Sequence, residues 1–325
     1  MTRRAALGVL GGGVVAGAGL FTSKRVLRAE ETASKRVQPA APSSTGSTAG
    51  STPTSTEAPT TAPTTEFALW SDAETWGGQV PGAGDLATVT KPVLLDVDTQ
   101  VAGVLVEAAG KLIFDPETSH TLTSSGNVVV KGKLKMRPGS AAIQQVLAFT
   151  GIDESKFVGG DTHTTVDSDV GLWITEAGVL DAYGTAKTAW THLTAAAGGG
   201  AGAISVDAAD GWQVGDEIVV TPTEDFDYGD HFKHHDRRKI TAISGTSITL
   251  DKALDYGHPF VTVREGVTHR PEVLNLSRNV RIQGEADARA HVILLHSTVP
   301  QKVGWLGLRY LGPKAILGRY SLHFH

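Results

Sequence analysis

The residues of this chain with the most chemistry at short spacing lie in two places. His323 and His325 are two positions apart. On a β-strand that spacing puts both imidazoles on one face, where they can bind a metal ion or share acid–base work near neutral pH. The stretch Glu224–Arg238 packs five carboxylates, three histidines and three cations into fifteen residues. His231, His234 and His235, with an aspartate, could hold a divalent ion, although their spacing matches no strict ligand signature. Arg237 and Arg238, with Lys233, are candidates for holding a uronate carboxylate, because a guanidinium pairs with it through two parallel hydrogen bonds. Hydrolysis of a glycosidic bond uses two carboxyl groups roughly 5–9.5 Å apart. Asp96/Asp98, Asp167/Asp169 and Asp225/Asp227 share a face if those pieces are strands, and only the last pair sits beside cations and histidines. A lyase would need a base and a group that neutralises the uronate, which residues 231–238 also offer. The alternative for the whole stretch is a solvated loop.

Several other chemistries are excluded. The chain has no cysteine, so thiol catalysis, disulfides and thiolate-bound metals are impossible. It has no Gly-rich phosphate loop, no Gly-x-Ser-x-Gly elbow and no His-Glu-x-x-His helix. Asp85 and Asp216 each follow a glycine and read as turn formers. Trp70, Trp76, Trp190 and Trp212 read as core or capping residues, since their spacing is too irregular for a sugar-stacking platform.

The elements that must position these residues are short strands. Glycine fills 38 of 325 positions while charged residues reach only 19%, which suits an all-β chain with many tight turns. Val104–Phe114 is echoed by Val128–Met136 and again by Leu172–Leu180, each a short apolar strand, a turn with glycine and a second strand. Gly110, Gly132 and Gly178 lie 22 and 46 residues apart. These are close to one and two units of about 23 residues, a period that suits the coils of a parallel β-helix. A β-sandwich with the same strand spacing is the competing architecture. Gly198–Asp251 differs, with paired strands predicted at Ala203–Val206, Asp216–Thr221, Lys239–Ile243 and Ser247–Leu250. It reads as a small inserted antiparallel subdomain. The coil pattern returns at Val273–Leu276, Val280–Gln283, Val292–Leu295 and Trp305–Leu308.

The beginning of the chain has another character. Arg3-Arg4 precede an uncharged, glycine-rich run of 17 residues, Ala5–Phe21, which looks like a twin-arginine export signal. An uncleaved signal anchor is the alternative, and both place the remainder outside the cytoplasm. Pro39–Thr65 is rich in Thr, Ser and Pro and has no large apolar side chain, so it reads as a disordered stalk. Residues 1–65 carry seven basic and three acidic groups, leaving 22 and 31 for the rest, a net of −9. That balance offers no general nucleic-acid footprint, and an acidic ligand would need a local basic patch.

Trp70-Ser71-Asp72, followed by Trp76-Gly77-Gly78-Gln79-Val80-Pro81-Gly82-Ala83-Gly84-Asp85, resembles the start of the G8 domain. The likeness continues through Gly110-Lys111-Leu112, Gly132-Lys133-Leu134, Tyr183–Leu193 and Val214–Val220. Glu272–Glu285, with Leu276-Ser277-Arg278-Asn279, and Gly318–His325, with His323-Phe324-His325, resemble the adjoining β-helix of the cell-migration-inducing and transmembrane hyaluronidases. They resemble fibrocystin more distantly. The resemblance implies an extracellular right-handed β-helix that binds or depolymerises hyaluronan, although many G8 proteins have no established activity. It adds weight to a functional part for His323 and His325. The His-rich stretch 231–238 is not part of the family pattern, while Thr223 and Asp225 loosely match a Thr-Asp that follows the corresponding strand. The family continues with further coils beyond the position of His325, so a truncated sequence is expected.

The expected organisation is an export signal or anchor over 1–38, a linker over 39–65, a G8 region of first coils over 66–195, the inserted subdomain over 196–255 and a following β-helix over 256–325. The expected function is engagement of an extracellular polysaccharide, with hyaluronidase-like turnover through His323, His325, Asp225 and Asp227, or else a non-catalytic surface module. A divalent metal is the one cofactor the residues suggest. No nucleic-acid partner is expected, and membrane contact is expected only through the N-terminal segment.

Overall fold

The computed structural model describes residues 67–160, 164–223, 230 and 233–325. The segments expected to be an export signal and a linker, residues 1–38 and 39–65, lie outside the described residues, as do Asp225, Asp227 and His231. Regular structure in the described part is all β, apart from short 3-10 turns such as Ala73–Trp76. Among the described residues no helix is long and apolar enough to cross a membrane.

Three sheets are parallel throughout. The first takes Ala68–Leu69, Pro92–Leu95, Lys111–Phe114, Lys133–Met136, Val179–Tyr183 and Lys302–Gly304 in that order. The second takes Leu86–Val89, Gly103–Val106, Val128–Val130, Gly171–Thr175, His291–Leu295 and His323–Phe324. The third takes Thr99–Val101, His120–Ser124, Gln145–Phe149, Val280–Gln283 and Leu306–Arg309. The repeats seen in the sequence are in register: Val104 pairs with Val128, and Val128 with Leu172. Val104–Phe114 and Val128–Met136 are therefore neighbouring levels of the same sheets rather than facing sheets of a sandwich.

A strand of three to five residues cannot bury its apolar face alone, and stacking buries it against the levels above and below. Val89, Val106, Val130, Ile174 and Leu294 share one register column, none more than 2% exposed. Val93, Leu112, Leu134 and Leu180 form a second buried column. Burying each such side chain contributes about 1.5–3 kcal/mol. Trp70 lies at one end of this core, fully buried, with its indole N–H donating to Thr99 Oγ1 and the Trp76 ring edge-on at 4.7 Å.

The glycines of the repeat have a steric cause. A Cβ on Gly132 would lie 2.2 Å from the Gly110 carbonyl oxygen, and one on Gly178 would lie 2.1 Å from the Val130 carbonyl oxygen. The Gly110 carbonyl belongs to the stacking itself, since the Lys133 amide donates to it, and the Val179 amide donates in the same way to Gly132 O. At these turns the chain crosses the level beneath so closely that only a hydrogen fits.

The fourth sheet is antiparallel. Its order is Trp190–His192, Glu272–Asn275, Glu217–Val220, Asp236–Ser244, Ser247–Leu250 and Ala203–Ser205. It closes over its own core of Leu193, Val206, Trp212, Ile218, Ile240 and Ile248. The four predicted hairpin strands are all here. Val273–Leu276 does not return to the coils as expected. Glu272–Asn275 pairs antiparallel with both Trp190–His192 and Glu217–Val220, because the alternating Val273 is buried in this second core. The parallel pattern resumes only at Val280.

Gly132→Ala should lower stability by about 1–3 kcal/mol, as overpacking does, which corresponds to a Tm several degrees lower. Gly84→Ala, where a Cβ meets nothing within 4 Å, should leave Tm unchanged; thermal unfolding followed by circular dichroism measures both.

Candidate functional site

His323–Phe324 joins the second sheet beside Ile293–Leu294. The His325 amide donates to Leu294 O, and the His296 amide donates to His325 O. These bonds bring three imidazoles into a row: His323 and His325 have ring centroids 5.6 Å apart, and His325 and His296 5.5 Å apart. Tyr320 extends the row, edge-on to His323 at 4.9 Å. The face-sharing of His323 and His325 follows from the strand period. His296 was not a sequence candidate, because only the pairing of levels brings it alongside. It also holds a left-handed backbone, φ 53°, which is uncommon for a non-glycine residue. His323 Nδ1 lies 3.3 Å from Gly318 O, so this nitrogen carries the proton.

Behind this row lies a buried polar knot that positions it. Arg319 Nε donates to Asp169 at 2.7 Å, and both side chains are fully buried. Asp169 also accepts from the amides of Val158 and Gly159 and from Ser168 Oγ. Burial opposes the charge on Asp169, yet those donors and the Arg319 guanidinium hold its carboxyl below the usual range. His291 Nε2 donates to the Asp169 carbonyl oxygen, and its Nδ1 has no partner. Burial pushes the His291 pKa down to about 4, with the Arg319 and His323 charges acting in the same direction against hydrogen bonding to Asp169. The Arg319 guanidinium lies 4.9 Å from the Trp173 ring, and His291 meets the same ring edge-on. Asp169 is therefore an anchor for the turn before Tyr320, not one of a hydrolytic pair with the exposed Asp167. Asp96 is likewise committed to Ser71 and Asp98 to the Thr121 amide.

The second candidate cluster is carried by the antiparallel sheet. Neighbouring residues of a strand face opposite sides, and Arg237 and Arg238 follow that rule. Arg238 turns inward, 7% exposed, and donates to Asp236 and to Ala253 O. Asp236 also meets His258 Nε2 at 2.9 Å and accepts from the amides of Asp255 and Tyr256. The two arginines expected to clamp one carboxylate together therefore do not share a face. Arg237 points outward and its Nε donates to Glu217. Lys233 pairs with Asp230, His234 stacks on Tyr256 at 4.4 Å, and His235 is exposed. Among the described residues no group of three His, Asp or Glu side chains is arranged to hold a metal ion. Asp216 fits its reading as a turn former by accepting from the Gln213 amide, and it also holds the buried Lys187 and Asn275.

The His291 pKa fixes the sign of an acid response. Its folded value of about 4 lies below the unfolded value near 6.5. Its contribution is complete above about pH 6.5 and is lost as pH falls toward 4. Urea unfolding should therefore show about 3 kcal/mol lost from this group between those pH values, and a His291→Phe variant should lose correspondingly less. Asp169→Ala strands the Arg319 charge and should cost about 3–5 kcal/mol at pH 7.

Residues 75–194 match the G8 domain model. The chain is 26% identical to mouse fibrocystin-L over 314 residues and 29% identical to human fibrocystin-L over 315, covering 79% of this chain in each case. A G8 domain-containing protein of Dictyostelium discoideum is 26% identical over 277 residues, covering 80% of this chain. The chain spans only 7% of the length of the fibrocystin-L proteins and 18% of the Dictyostelium one. Among solved structures, the Gp54 tailspike of Acinetobacter baumannii bacteriophage AP22, in complex with capsular saccharide, covers 60% of this chain and 29% of its own. It is 12% identical with a TM-score of 0.24, a likeness that lends no argument here. The G8 resemblance read from the sequence is thus met by a match to the G8 domain model over residues 75–194.

Proposed function

We propose that the three parallel sheets form a right-handed β-helix with the antiparallel sheet inserted into it, and that this body engages an extracellular polysaccharide. The twin-arginine segment and the Ser/Thr/Pro stalk support export and display away from the cell envelope. The observation that carries the reading is the row of Tyr320, His323, His325 and His296 on one face. Aromatic and imidazole rings stack on sugar faces, and imidazoles exchange hydrogen bonds and protons with hydroxyl groups near neutral pH.

A second reading, a binding module without turnover, is favoured by the carboxylates. Asp96, Asp98 and Asp169 each hold backbone or side-chain partners and are not free to act as acid and nucleophile. Asp225 and Asp227 remain the proposed carboxylates of the enzymatic reading, with Arg237 and Lys233 as proposed substrate contacts.

The test is retention of the 325-residue chain on immobilised polysaccharides, hyaluronan and neutral glucans included, together with polymer size after incubation with and without divalent ions. Retention that falls at least tenfold in His323→Ala/His325→Ala, about 1.4 kcal/mol or more, is expected. Shortening of the polymer that requires the same two residues assigns catalysis, and retention without shortening assigns the module. Failure to retain any glycan overturns the proposal.

A further inference from the structure

Where the antiparallel sheet meets the third parallel sheet, an open groove of about 330 Å³ is lined by Glu217, Arg237, Arg278, Arg281 and the strand Leu306–Arg309. It brings four guanidiniums together against one carboxylate, in a body whose residues from 66 onward carry a net −9. Glu217 is already engaged by Arg237 and, at 3.4 Å, by Arg309. Asp216 acts on Arg278 from behind, but it is held by Lys187 and Asn275. Arg281 has almost nothing. Its Nε is buried without a partner, and one terminal nitrogen reaches Gln144 Oε1 only at 3.5 Å. Burial, and then repulsion from Arg309, depresses its pKa. A protein that needed this side chain only for packing would gain from an apolar one, since an unmatched buried donor costs stability.

The surroundings keep the guanidiniums in place. Gly307 pairs beside Arg281 in the parallel ladder, and a Cβ there would lie 3.1 Å from Arg281 Cγ and 3.3 Å from Arg278 Cβ. The bare glycine therefore leaves room for both arginine stems. Trp305 and Tyr310 bracket the same strand, each in the left-handed region at φ 50° and 52°. For such bulky residues this backbone is unusual and marks sites where geometry is held against local preference. Their rings lie 6.0 Å from the Arg278 guanidinium and 5.4 Å from the Arg309 guanidinium.

We propose that this groove is an oxyanion-binding site for an acidic sugar chain, with Arg281 and Arg309 taking a carboxylate or sulfate while Trp305 and Tyr310 stack on the sugar ring. This deepens the polysaccharide reading and rests on it, but it uses a surface other than the histidine row. Guanidinium forks bind planar oxyanions through paired hydrogen bonds, and aromatic faces accept the apolar face of a sugar. The Arg281 Nε–H that lacks a partner in the protein is a donor the ligand would satisfy.

The probes are polygalacturonate for carboxylate, dextran sulfate for sulfate and dextran as the neutral control, each titrated against the full chain at two ionic strengths. Both polyanions, or the one whose group fits, should bind at least about tenfold more tightly than dextran at low salt, with an affinity that falls as salt rises. Arg281→Gln/Arg309→Gln should weaken polyanion binding about tenfold or more and flatten the salt dependence, without lowering Tm. Glu217→Gln removes the competing carboxylate and should tighten binding several-fold. Polyanion binding unchanged in the double variant, or a Tm that falls when Arg281 is replaced, overturns the inference. Retention of neutral glycans with no preference for acidic ones defeats this site while leaving the polysaccharide reading intact, and retention of no glycan at all defeats both.

Discussion

The constraint on which the body depends is the approach of one level of backbone to the next. Parallel neighbours lie about 4.8 Å apart, and the turns must cross without lifting the strands out of register. At Gly132 and Gly178 the carbonyl below occupies the space a Cβ would need. The same approach sets the side-chain columns, so that Val89, Val106, Val130, Ile174 and Leu294 pack as one line although they span more than 200 residues of sequence. The histidine row is a product of that register. His296 meets His325 because the two levels pair, and a shift of one residue would send His325 to the opposite face.

Two buried ion clusters hold the turns that the ladder alone would leave loose. Asp169 with Arg319 ties the loop at Val158 and Gly159 to the turn before Tyr320. Asp236 with Arg238 and His258 ties the antiparallel sheet to the amides of Asp255 and Tyr256. In both, the carboxylate accepts two backbone amides as well as a guanidinium, which is how a buried charge becomes tolerable. Arg281 departs from this pattern. It has neither a carboxylate of its own nor a ring beneath it, and that contrast within one molecule gives its unfilled donor its meaning.

Much of the ladder was legible because its cause is local and repeated. Gly110, Gly132 and Gly178, and the apolar triplets before them, carry both the period and the register. The pairing of His323 with His325 was legible from strand geometry alone. What could not be read was whatever depends on distant segments meeting. Glu272–Asn275 looks like another coil strand, and only the partners offered by Glu217–Val220 and Trp190–His192 turn it antiparallel. Asp169 looks like a turn residue, because its arginine stands 150 positions later. Arg238 looks like a surface cation until the strand's alternation places it inside. Arg281 and Arg309 drew no notice because neither stands in a charged run, and the parallel register alone makes them neighbours.

The interruption of the ladder has a kinetic consequence. Gln145 of the third sheet finds its upper neighbour at Val280, 135 positions along the chain, with the whole antiparallel sheet in between. The levels up to Tyr183 close within one run of chain and can zip in succession. The next joint must bring together two ends of a long excursion, and closing it is a far less frequent encounter. The excursion's own core, around Trp212 and Ile218, shortens the effective gap once it has formed.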